Sequence, residues 1–288
     1  MYDAIIIGSG PAGLSAALNL KIRGKSFLWF GSSNLSDKLN KAEKISNYPG
    51  LPDVSGAELF EQFKMHAQKM ELSITEKMVT NILYNDGHYM LLAENEMYET
   101  KTLILAMGVM TQKPLKGEEK LLGNGVSYCA TCDGMLYRGK TIGVISTSKK
   151  YEEEVSFLAG LAEKVYFFPA YPNPEIPAEN VTLEKNVPVE ITGEGRVDGI
   201  VLRNGEKLPL DGVFCLRDSI LPTALLSGLA MEEGHILVNR KMETNLPGCF
   251  AAGDCTGRPY QYAKAVGEGN VAAHSVVEYL ASHEREMR

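Results

Sequence analysis

The sequence is short of three things: long apolar runs, cysteine and positive charge. No stretch of about 18 or more apolar residues occurs in the 288 residues, so we expect no membrane-spanning helix and no membrane partner. The chain starts with the apolar run Ala4 to Ile7 and lacks the features of a signal peptide, which favours a cytoplasmic location. The net charge of −7 disfavours broad nucleic-acid binding.

Only five cysteines occur, an odd number that argues against a disulfide scaffold. Cys215, Cys249 and Cys255 are scattered, and we predict that they are small buried residues. The other two form the motif Cys129-Ala130-Thr131-Cys132-Asp133. In a chain without a secretion signal, two cysteines with this spacing indicate redox or metal chemistry.

Redox chemistry is favoured over metal binding. A structural zinc site needs about four ligands, but no second cysteine pair exists and the five histidines are scattered. In a redox pair, one thiolate attacks a partner disulfide and the other resolves the mixed disulfide. Asp133 follows the pair directly and could give or take the proton, although a solvated loop acid is the alternative.

The run Gly8-Ser9-Gly10-Pro11-Ala12-Gly13 matches the dinucleotide-binding fingerprint. Its glycines permit a tight turn, a close approach of a pyrophosphate to the backbone, and close packing of helix and strand. The helix that follows offers free N–H groups to the anion. A glycine turn without a ligand is the alternative. The acid that usually holds the ribose is missing, because the second strand ends in Phe30-Gly31-Ser32-Ser33.

The strand and helix patterns predict an α/β protein with two similarly built domains. Strand–turn–helix units begin near residues 3 and 140, and each is typical of a dinucleotide-binding fold. From residue 236 onward, an apolar run ending in Gly253-Asp254 and a helix at 265–280 return to the first domain. We therefore predict two Rossmann-like, three-layer domains. Residues 1–113 and 236–288 form the first, and residues 114–235 are inserted as the second.

With the glycine turn, the cysteine pair and Gly253-Asp254 in this order, the chain resembles the low-molecular-weight thioredoxin reductases over nearly its whole length. The resemblance implies a homodimeric flavoprotein with FAD in the split domain and a redox disulfide in the central domain. It also implies that Cys132 faces the flavin, that Cys129 attacks thioredoxin, and that Asp133 handles the proton.

The same resemblance assigns the FAD site. The pyrophosphate would be held by Gly8, Gly10, Pro11, Ala12 and Gly13. The remaining contacts would come from Asn47 and Gly108 on the flavin side, Gly253 and Asp254 at the ribityl or phosphate portion, and Gln261 and Tyr262 near the isoalloxazine ring. Lys38 lies where the family has a Gly-Gly-Gln-Leu flavin loop, which here reads Ser36 to Leu39.

The central domain departs from the NADPH-dependent members, which have a glycine-rich turn after the first strand and a His-Arg-Arg cluster after the next. Here no glycine lies between residues 144 and 159, and no arginine lies between residues 139 and 195. Side chains would fill the turn that a pyrophosphate approaches, and no guanidinium from this region could clamp a phosphate. Lys149 and Lys150 could bind an anion, but a solvated turn is the alternative.

This departure is similar to the ferredoxin-dependent flavin thioredoxin reductases, and it implies ferredoxin as electron donor and thioredoxin as acceptor. Ferredoxins are typically acidic, so a basic docking patch is expected. The candidates are Lys21, Arg23, Lys25, Lys38, Lys41 and Lys44, although scattered solubilising cations are the alternative. Two other functions stay open: a reductase that uses NAD(P)H weakly or holds a second flavin, and a non-catalytic redox sensor.

Overall fold

The computed structural model describes residues 1–35, 39, 42–94, 96–109, 114–176, 178–217 and 221–286. The chain divides into two compact units, Met1–Val109 with Leu225–Arg288 and Met110–Ala224. The first unit is therefore built from both ends of the chain. Its returning segment begins earlier than the residue 236 that we predicted, and Leu226 already forms a β-bridge with Ile82 of the first unit.

The helices are numbered in chain order. They are α1 Pro11–Ile22, α2 Gly56–Lys69, α3 Ala130–Asp133, α4 Glu152–Ala159, α5 Pro222–Leu225 and α6 Tyr262–Glu286, with short 3-10 turns at Gly134–Tyr137, Lys149–Tyr151 and Asp254–Thr256.

The strands are numbered in the same way. They are β1 Tyr2–Ile7, β2 Phe27–Phe30, β3 Val79–Asn85, β4 His88–Ala93, β5 Glu96–Leu105, β6 Val126–Ser127, β7 Thr141–Ser146, β8 Lys164–Pro169, β9 Val181–Leu183, β10 Pro188–Thr192, β11 Gly199–Leu202, β12 Lys207–Pro209, β13 Gly212–Leu216, β14 Met231–Glu232, β15 His235–Ile236 and β16 Cys249–Ala251.

Local sequence signals explain several element boundaries. Helix α2 starts with a capping box, in which Ser55 accepts the N–H of Glu58 and the Glu58 carboxylate accepts the N–H of Ser55. A tight hairpin turn joins β3 and β4. Its two loop residues, Asp86 and Gly87, both have positive φ angles, of 48° and 80°, as a tight hairpin turn requires.

The sheet of the first unit has the order β2-β1-β5-β4-β3, and β16 also pairs with β5. The second half of β5 lies parallel to β1 and β16, while its first half lies antiparallel to β4. Helices α1 and α6 pack on this sheet around the buried side chains of Trp29, Ile104 and Phe250. The parallel part of the sheet thus has the predicted Rossmann-like form.

The second unit is built on the parallel sheet β6-β13-β7-β8-β9. Helix α4 covers one face of this sheet through Val155 and Leu158. The antiparallel sheet β10-β11-β12 covers the other face through Ile200 and Leu202. The α/β class with three layers is therefore confirmed in this unit as well. Among the described residues, no helix is both long and apolar enough to cross a bilayer.

Candidate active site

The turn after β1 is closely packed against the neighbouring strands. Gly8 has a φ of +112°, and a Cβ atom at this position would overlap the carbonyl oxygen of Ala106. The N–H of Gly8 donates to the carbonyl of Phe30 at 2.8 Å, so the turn crosses directly over the ends of the neighbouring strands. Glycine is required here because any side chain would push these strands apart.

The start of α1 is open to an anion. Gly10 occupies the N-cap position, no side chain caps it among the described residues, and Pro11 stands in the first turn. A Cβ at Gly10 would meet no atom within 4 Å, whereas a Cβ at Gly13 would overlap the Gly8 carbonyl oxygen. The backbone N–H groups of this helix start are thus exposed to a ligand in the way that pyrophosphate binding needs.

Two side chains support the glycine turn, one from outside the motif and one from within it. Trp29 is buried, and its indole N–H donates to the Gly8 carbonyl at 2.9 Å. The hydroxyl of Ser9 donates to the Leu35 carbonyl at 2.9 Å and accepts the N–H of Ser32 at 2.9 Å. A buried indole needs an acceptor, and that was the only signal in the sequence for the role of Trp29.

The end of β2 receives an acid from elsewhere in the chain. The sequence places no carboxylate at residues 31–33, but Glu76 Oε1 accepts the N–H of Ser33 at 2.7 Å. Hydrogen bonds from the hydroxyl and backbone of Ser33 lower the pKa of Glu76. A carboxylate therefore does lie beside the end of β2, although sequence spacing could not reveal it.

The loop that contains Gly253 and Asp254 packs on α1. Gly253 has a φ of +90°, and a Cβ there would come within 2.9 Å of the Ala12 Cβ. Lys264 and Glu268 fix this loop from the first turns of α6. Lys264 Nζ donates to the carbonyls of Gly253 at 2.9 Å and Gly257 at 2.8 Å, while Glu268 Oε2 accepts the Gly253 N–H at 2.8 Å.

Two of the residues predicted to lie beside the flavin contact each other in the first unit. Asn47 Nδ2 donates to Gln261 Oε1 at 2.6 Å, across 214 residues of sequence. Tyr262 opens α6, and its pKa is raised by burial and, to a smaller degree, by the carboxylate of Asp254. Gly108 follows β5 with a φ of +67° and open space at its Cβ position. Lys38 lies outside the described residues.

Cys129 and Cys132 form a disulfide with Cα atoms 5.4 Å apart in the second unit. Cys129 is the N-cap residue of α3, and its Sγ accepts the backbone N–H of Cys132 at 3.2 Å. A sulfur at a helix start is stabilised as a thiolate by the backbone N–H groups and the helix dipole. In the disulfide form, the Cys129 sulfur thus has a backbone N–H donor from this helix start.

Asp133 ends α3 and is linked back to the first cysteine. Its Oδ2 accepts the hydroxyl of Ser127 at 2.7 Å, and the same hydroxyl oxygen accepts the N–H of Cys129 at 3.1 Å. The structure therefore places the acid within one short hydrogen-bonded network with the cysteine pair. Ser127 was not singled out by any sequence motif.

The other three cysteines are free and buried, as predicted. Burial raises the pKa of Cys249 to about 12 and that of Cys255 to about 12. Burial raises the pKa of Cys215 as well. Because thiolates are the reactive form, these three side chains are inert at neutral pH. The described residues contain no cluster of histidine, cysteine and carboxylate side chains that could hold a metal ion.

The strand–helix crossover from β7 to α4 in the second unit is built differently from the glycine turn. The side chain of Ser148 accepts the N–H of Lys150, and the first turn of α4 contains Glu152, Glu153 and Glu154. Negative side chains at a helix start are favoured by the helix dipole. They would repel the phosphates of a dinucleotide at the position where such a fold normally binds them.

Glu152 is also held in place from beyond β8. Its Oε1 accepts the Tyr171 hydroxyl and the Glu175 N–H, each at 3.0 Å. Burial raises the pKa of Tyr171, and its hydrogen bond to Glu152 raises it further, so the hydroxyl stays a donor. Lys149 pairs with Glu175 at 3.4 Å. The Glu152 carboxylate thus lies at the start of α4, where a dinucleotide-binding fold normally binds a pyrophosphate.

The predicted basic patch is only partly described, since Lys38 and Lys41 lie outside the described residues. Lys44 pairs with Asp53 at 3.1 Å on the surface. Lys21, Arg23 and Lys25 lie at and just beyond the C-terminal end of α1, whose 12 residues separate them from the glycine turn by about 18 Å. A docking surface formed by these cations stays a prediction.

Comparisons with known proteins agree with this arrangement. The family model described as pyridine nucleotide-disulphide oxidoreductase matches residues 2–149 and 173–269. A thioredoxin reductase from Aquifex aeolicus (strain VF5) is 33% identical over 313 residues, which cover 99% of this chain and 95% of that protein.

Two solved structures extend the comparison. The crystal structure of a ferredoxin-flavin thioredoxin reductase from Clostridium acetobutylicum has a TM-score of 0.88 and 50% identity, with 98% of each chain covered. A thioredoxin reductase from Gloeobacter violaceus has a TM-score of 0.77 and 28% identity, covering 98% of this chain and 94% of that one. These matches confirm the resemblance that the sequence motifs indicated.

Proposed function

Because this chain belongs to the pyridine nucleotide-disulphide oxidoreductase family, we propose that it is a flavoprotein that reduces thioredoxin through Cys129 and Cys132 with electrons from reduced ferredoxin. The observation that carries the choice of donor is the start of α4, where Glu152 accepts two hydrogen bonds from the chain itself. A homodimer and a cytoplasmic location remain predictions from the sequence.

The first unit fits FAD. The glycine turn and the start of α1 would hold the pyrophosphate through Gly8, Gly10, Pro11, Ala12 and Gly13. Asp254 would hold the ribityl or phosphate portion. Asn47, Gln261 and Tyr262 would lie on the flavin side with Gly108. When bound, the flavin supplies the ability to take electrons singly and to pass a pair to a disulfide.

The second unit supplies the thiol chemistry. After reduction, the helix start favours the thiolate at Cys129, which attacks the disulfide of thioredoxin. Cys132 then displaces the reduced partner from the mixed disulfide, and Asp133 handles the proton. The side chains next to this pair suit a protein partner, since Met135 is 56% and Leu136 66% exposed. Exposed apolar side chains beside a reactive group commonly mark a protein contact.

Several observations support ferredoxin over a nicotinamide nucleotide. The first turn of α4 contains three carboxylates, and no glycine occurs between residue 144 and the start of this helix. The two ranges matched by the family model leave out residues 150–172, which contain α4 and β8. The solved structure with 50% identity is a ferredoxin-flavin enzyme. A plant-type ferredoxin has a reduction potential of about −400 mV, and a thioredoxin has one of about −270 mV. The transfer of two electrons from the first to the second is therefore favourable by roughly 6 kcal/mol.

An anaerobic titration of the purified holoprotein tests the donor. We expect excess NADPH to leave the flavin absorbance unchanged, and reduced ferredoxin to bleach it. Addition of oxidised thioredoxin should then restore the flavin absorbance and release thioredoxin thiols. Rapid bleaching by NADPH would overturn the ferredoxin assignment. Bleaching by ferredoxin without any reduction of thioredoxin would instead indicate a redox sensor.

A further inference from the structure

Ser127 lies at the centre of the hydrogen bonds that join Asp133 to Cys129. It ends β6, where it pairs with Phe214 of β13, and it is only 3% exposed. Its hydroxyl oxygen accepts the Cys129 N–H at 3.1 Å. The hydroxyl proton has two acceptors within reach, Asp133 Oδ2 at 2.7 Å and the Cys129 carbonyl at 3.2 Å.

A serine hydroxyl has one proton to donate and two lone pairs to accept with. When Asp133 is ionised, the shorter bond to its carboxylate is favoured, because charge-assisted hydrogen bonds are the stronger ones. When Asp133 holds a proton, it can donate to Ser127, and the hydroxyl proton can turn to the Cys129 carbonyl. Ser127 therefore keeps all its partners in both protonation states of Asp133.

We propose that Ser127 is a positioning residue for the proton transfer that accompanies disulfide exchange. In the exchange, the Cys129 thiolate attacks one sulfur of the thioredoxin disulfide, which forms a mixed disulfide and expels the other sulfur as a thiolate. Cys132 then gives its thiol proton to Asp133 and displaces the second thioredoxin sulfur, which re-forms the bond between Cys129 and Cys132. Asp133 passes the proton to one departing thioredoxin thiolate, and the other takes its proton from water. Ser127 holds the carboxyl in place and accommodates both of its states. This role rests on the proposed thiol–disulfide function.

The alternative is that Ser127 only stabilises the local fold. Its backbone belongs to the β6–β13 ladder, and a loss of the hydroxyl could loosen the loop before Cys129. Such a structural role would act with either Asp or Asn at position 133. The two roles therefore differ in whether the effect of Ser127 depends on Asp133.

A double-mutant cycle separates these roles. The reduced holoprotein is mixed with thioredoxin disulfide, so that no electron donor is needed, and the exchange rate is measured in single turnover. We expect Ser127→Ala to slow exchange about tenfold and Asp133→Asn to slow it about a hundredfold. In the Asp133→Asn background, Ser127→Ala should add less than about twofold, because residues that act as a unit are not additive.

Two further variants complete the test. Ser127→Thr keeps the hydroxyl and should restore most of the rate. Ser146→Ala removes a buried hydroxyl in β7 that donates to the carbonyl of Ser148 at 3.0 Å, and it should leave the rate unchanged. A wild-type rate in Ser127→Ala, or losses that multiply in the double variant, would overturn the proposal.

The same experiment distinguishes a failure of the proposed function. If the wild-type protein does not reduce thioredoxin but does reduce a small aromatic disulfide, the choice of partner is wrong. The cycle is then measured with the small disulfide and still decides the role of Ser127. If the reduced wild-type protein reduces neither, both proposals fail.

Discussion

The two units contain the same strand–helix crossover with opposite chemistry at its turn. After β1, glycines leave the backbone of the α1 start uncovered, and no side chain caps it among the described residues. After β7, serine and glutamate side chains cover the α4 start, and Glu152 binds Tyr171. The difference teaches that the same crossover can leave a helix start open in one unit and line it with the chain's own carboxylates in the other.

The largest effect should come from the disulfide of the second unit. We expect Cys132→Ser to abolish turnover while the protein retains its flavin, since the first unit is unchanged. Flavin content on purification and thioredoxin reduction are measured together. Cys215→Ala, which removes a buried thiol in β13 of the same unit, is the matched control and should keep turnover. Loss of flavin from Cys132→Ser would contradict the division of roles between the units.

In the first unit we expect the opposite result, in which flavin binding is weakened and the disulfide is retained. In Gly13→Ala, the new Cβ would overlap the Gly8 carbonyl oxygen, and overpacking of this kind costs about 1–3 kcal/mol. We expect flavin affinity to fall about tenfold to a hundredfold, measured by reconstitution of the apoprotein with FAD, with the disulfide still formed.

Gly160→Ala is the control for this variant in the second crossover. Gly160 follows α4 with helical φ and ψ angles, and its added Cβ would come no closer than 3.4 Å to another atom. Flavin affinity should be unchanged. An equal loss of affinity in both variants would mean that the glycine turn is not the site of FAD binding.

Stability of the second unit should depend on a buried ion pair. Glu118 is fully buried, and its carboxylate accepts both terminal nitrogens of Arg217 at 2.9 Å and the Tyr128 hydroxyl at 3.0 Å. Glu118→Gln leaves the Arg217 charge unpaired, so we expect the free energy of unfolding to fall by about 3–5 kcal/mol, measured by urea denaturation.

A surface pair gives the comparison. Lys116 and Glu190 form an ion pair at 2.9 Å in which the lysine side chain is 77% exposed. Glu190→Gln should therefore lower the free energy of unfolding by less than about 1 kcal/mol. Similar losses of unfolding free energy in Glu118→Gln and Glu190→Gln would show that burial does not set the contribution of the Glu118 pair to stability.

The smallest effect on the free energy of unfolding is expected for the carboxylates at the start of α4. Glu152→Ala removes the acceptor of two hydrogen bonds and should lower the free energy of unfolding by about 1–2 kcal/mol. Glu153→Ala, an exposed neighbour in the same turn, should cost about 0.3–1 kcal/mol. A gain in stability on removing Glu152 would contradict its role as an internal substitute for a bound anion.

Local motifs predicted the parts of the site that depend on adjacent residues. The glycine turn and the cysteine pair each encode their geometry within a few residues, because backbone angles and short-range sterics decide them. The helix at 265–280 was predicted too short at both ends, since α6 runs from Tyr262 to Glu286. Strands as short as β12 and β14 carry too few residues for a readable alternation.

The supporting contacts could not be predicted because they join distant parts of the chain. The bond from Trp29 to Gly8 spans 21 residues, that from Ser33 to Glu76 spans 43, and that from Asn47 to Gln261 spans 214. Residue type shows only that each side chain needs a partner. Which partner it finds depends on how the strands are ordered in the folded sheet. A single sequence does not show which distant residues that order brings together.

Burial of the three free cysteines also determines which thiols an alkylating reagent can modify in the folded protein. With raised pKa values and no access to solvent, Cys215, Cys249 and Cys255 do not compete for alkylating reagents in the folded protein. The mass added by such a reagent should therefore count only the sulfurs of Cys129 and Cys132. Intact-mass spectrometry of the native protein then reads the oxidation state of a single bond, without any need to mutate the remaining thiols.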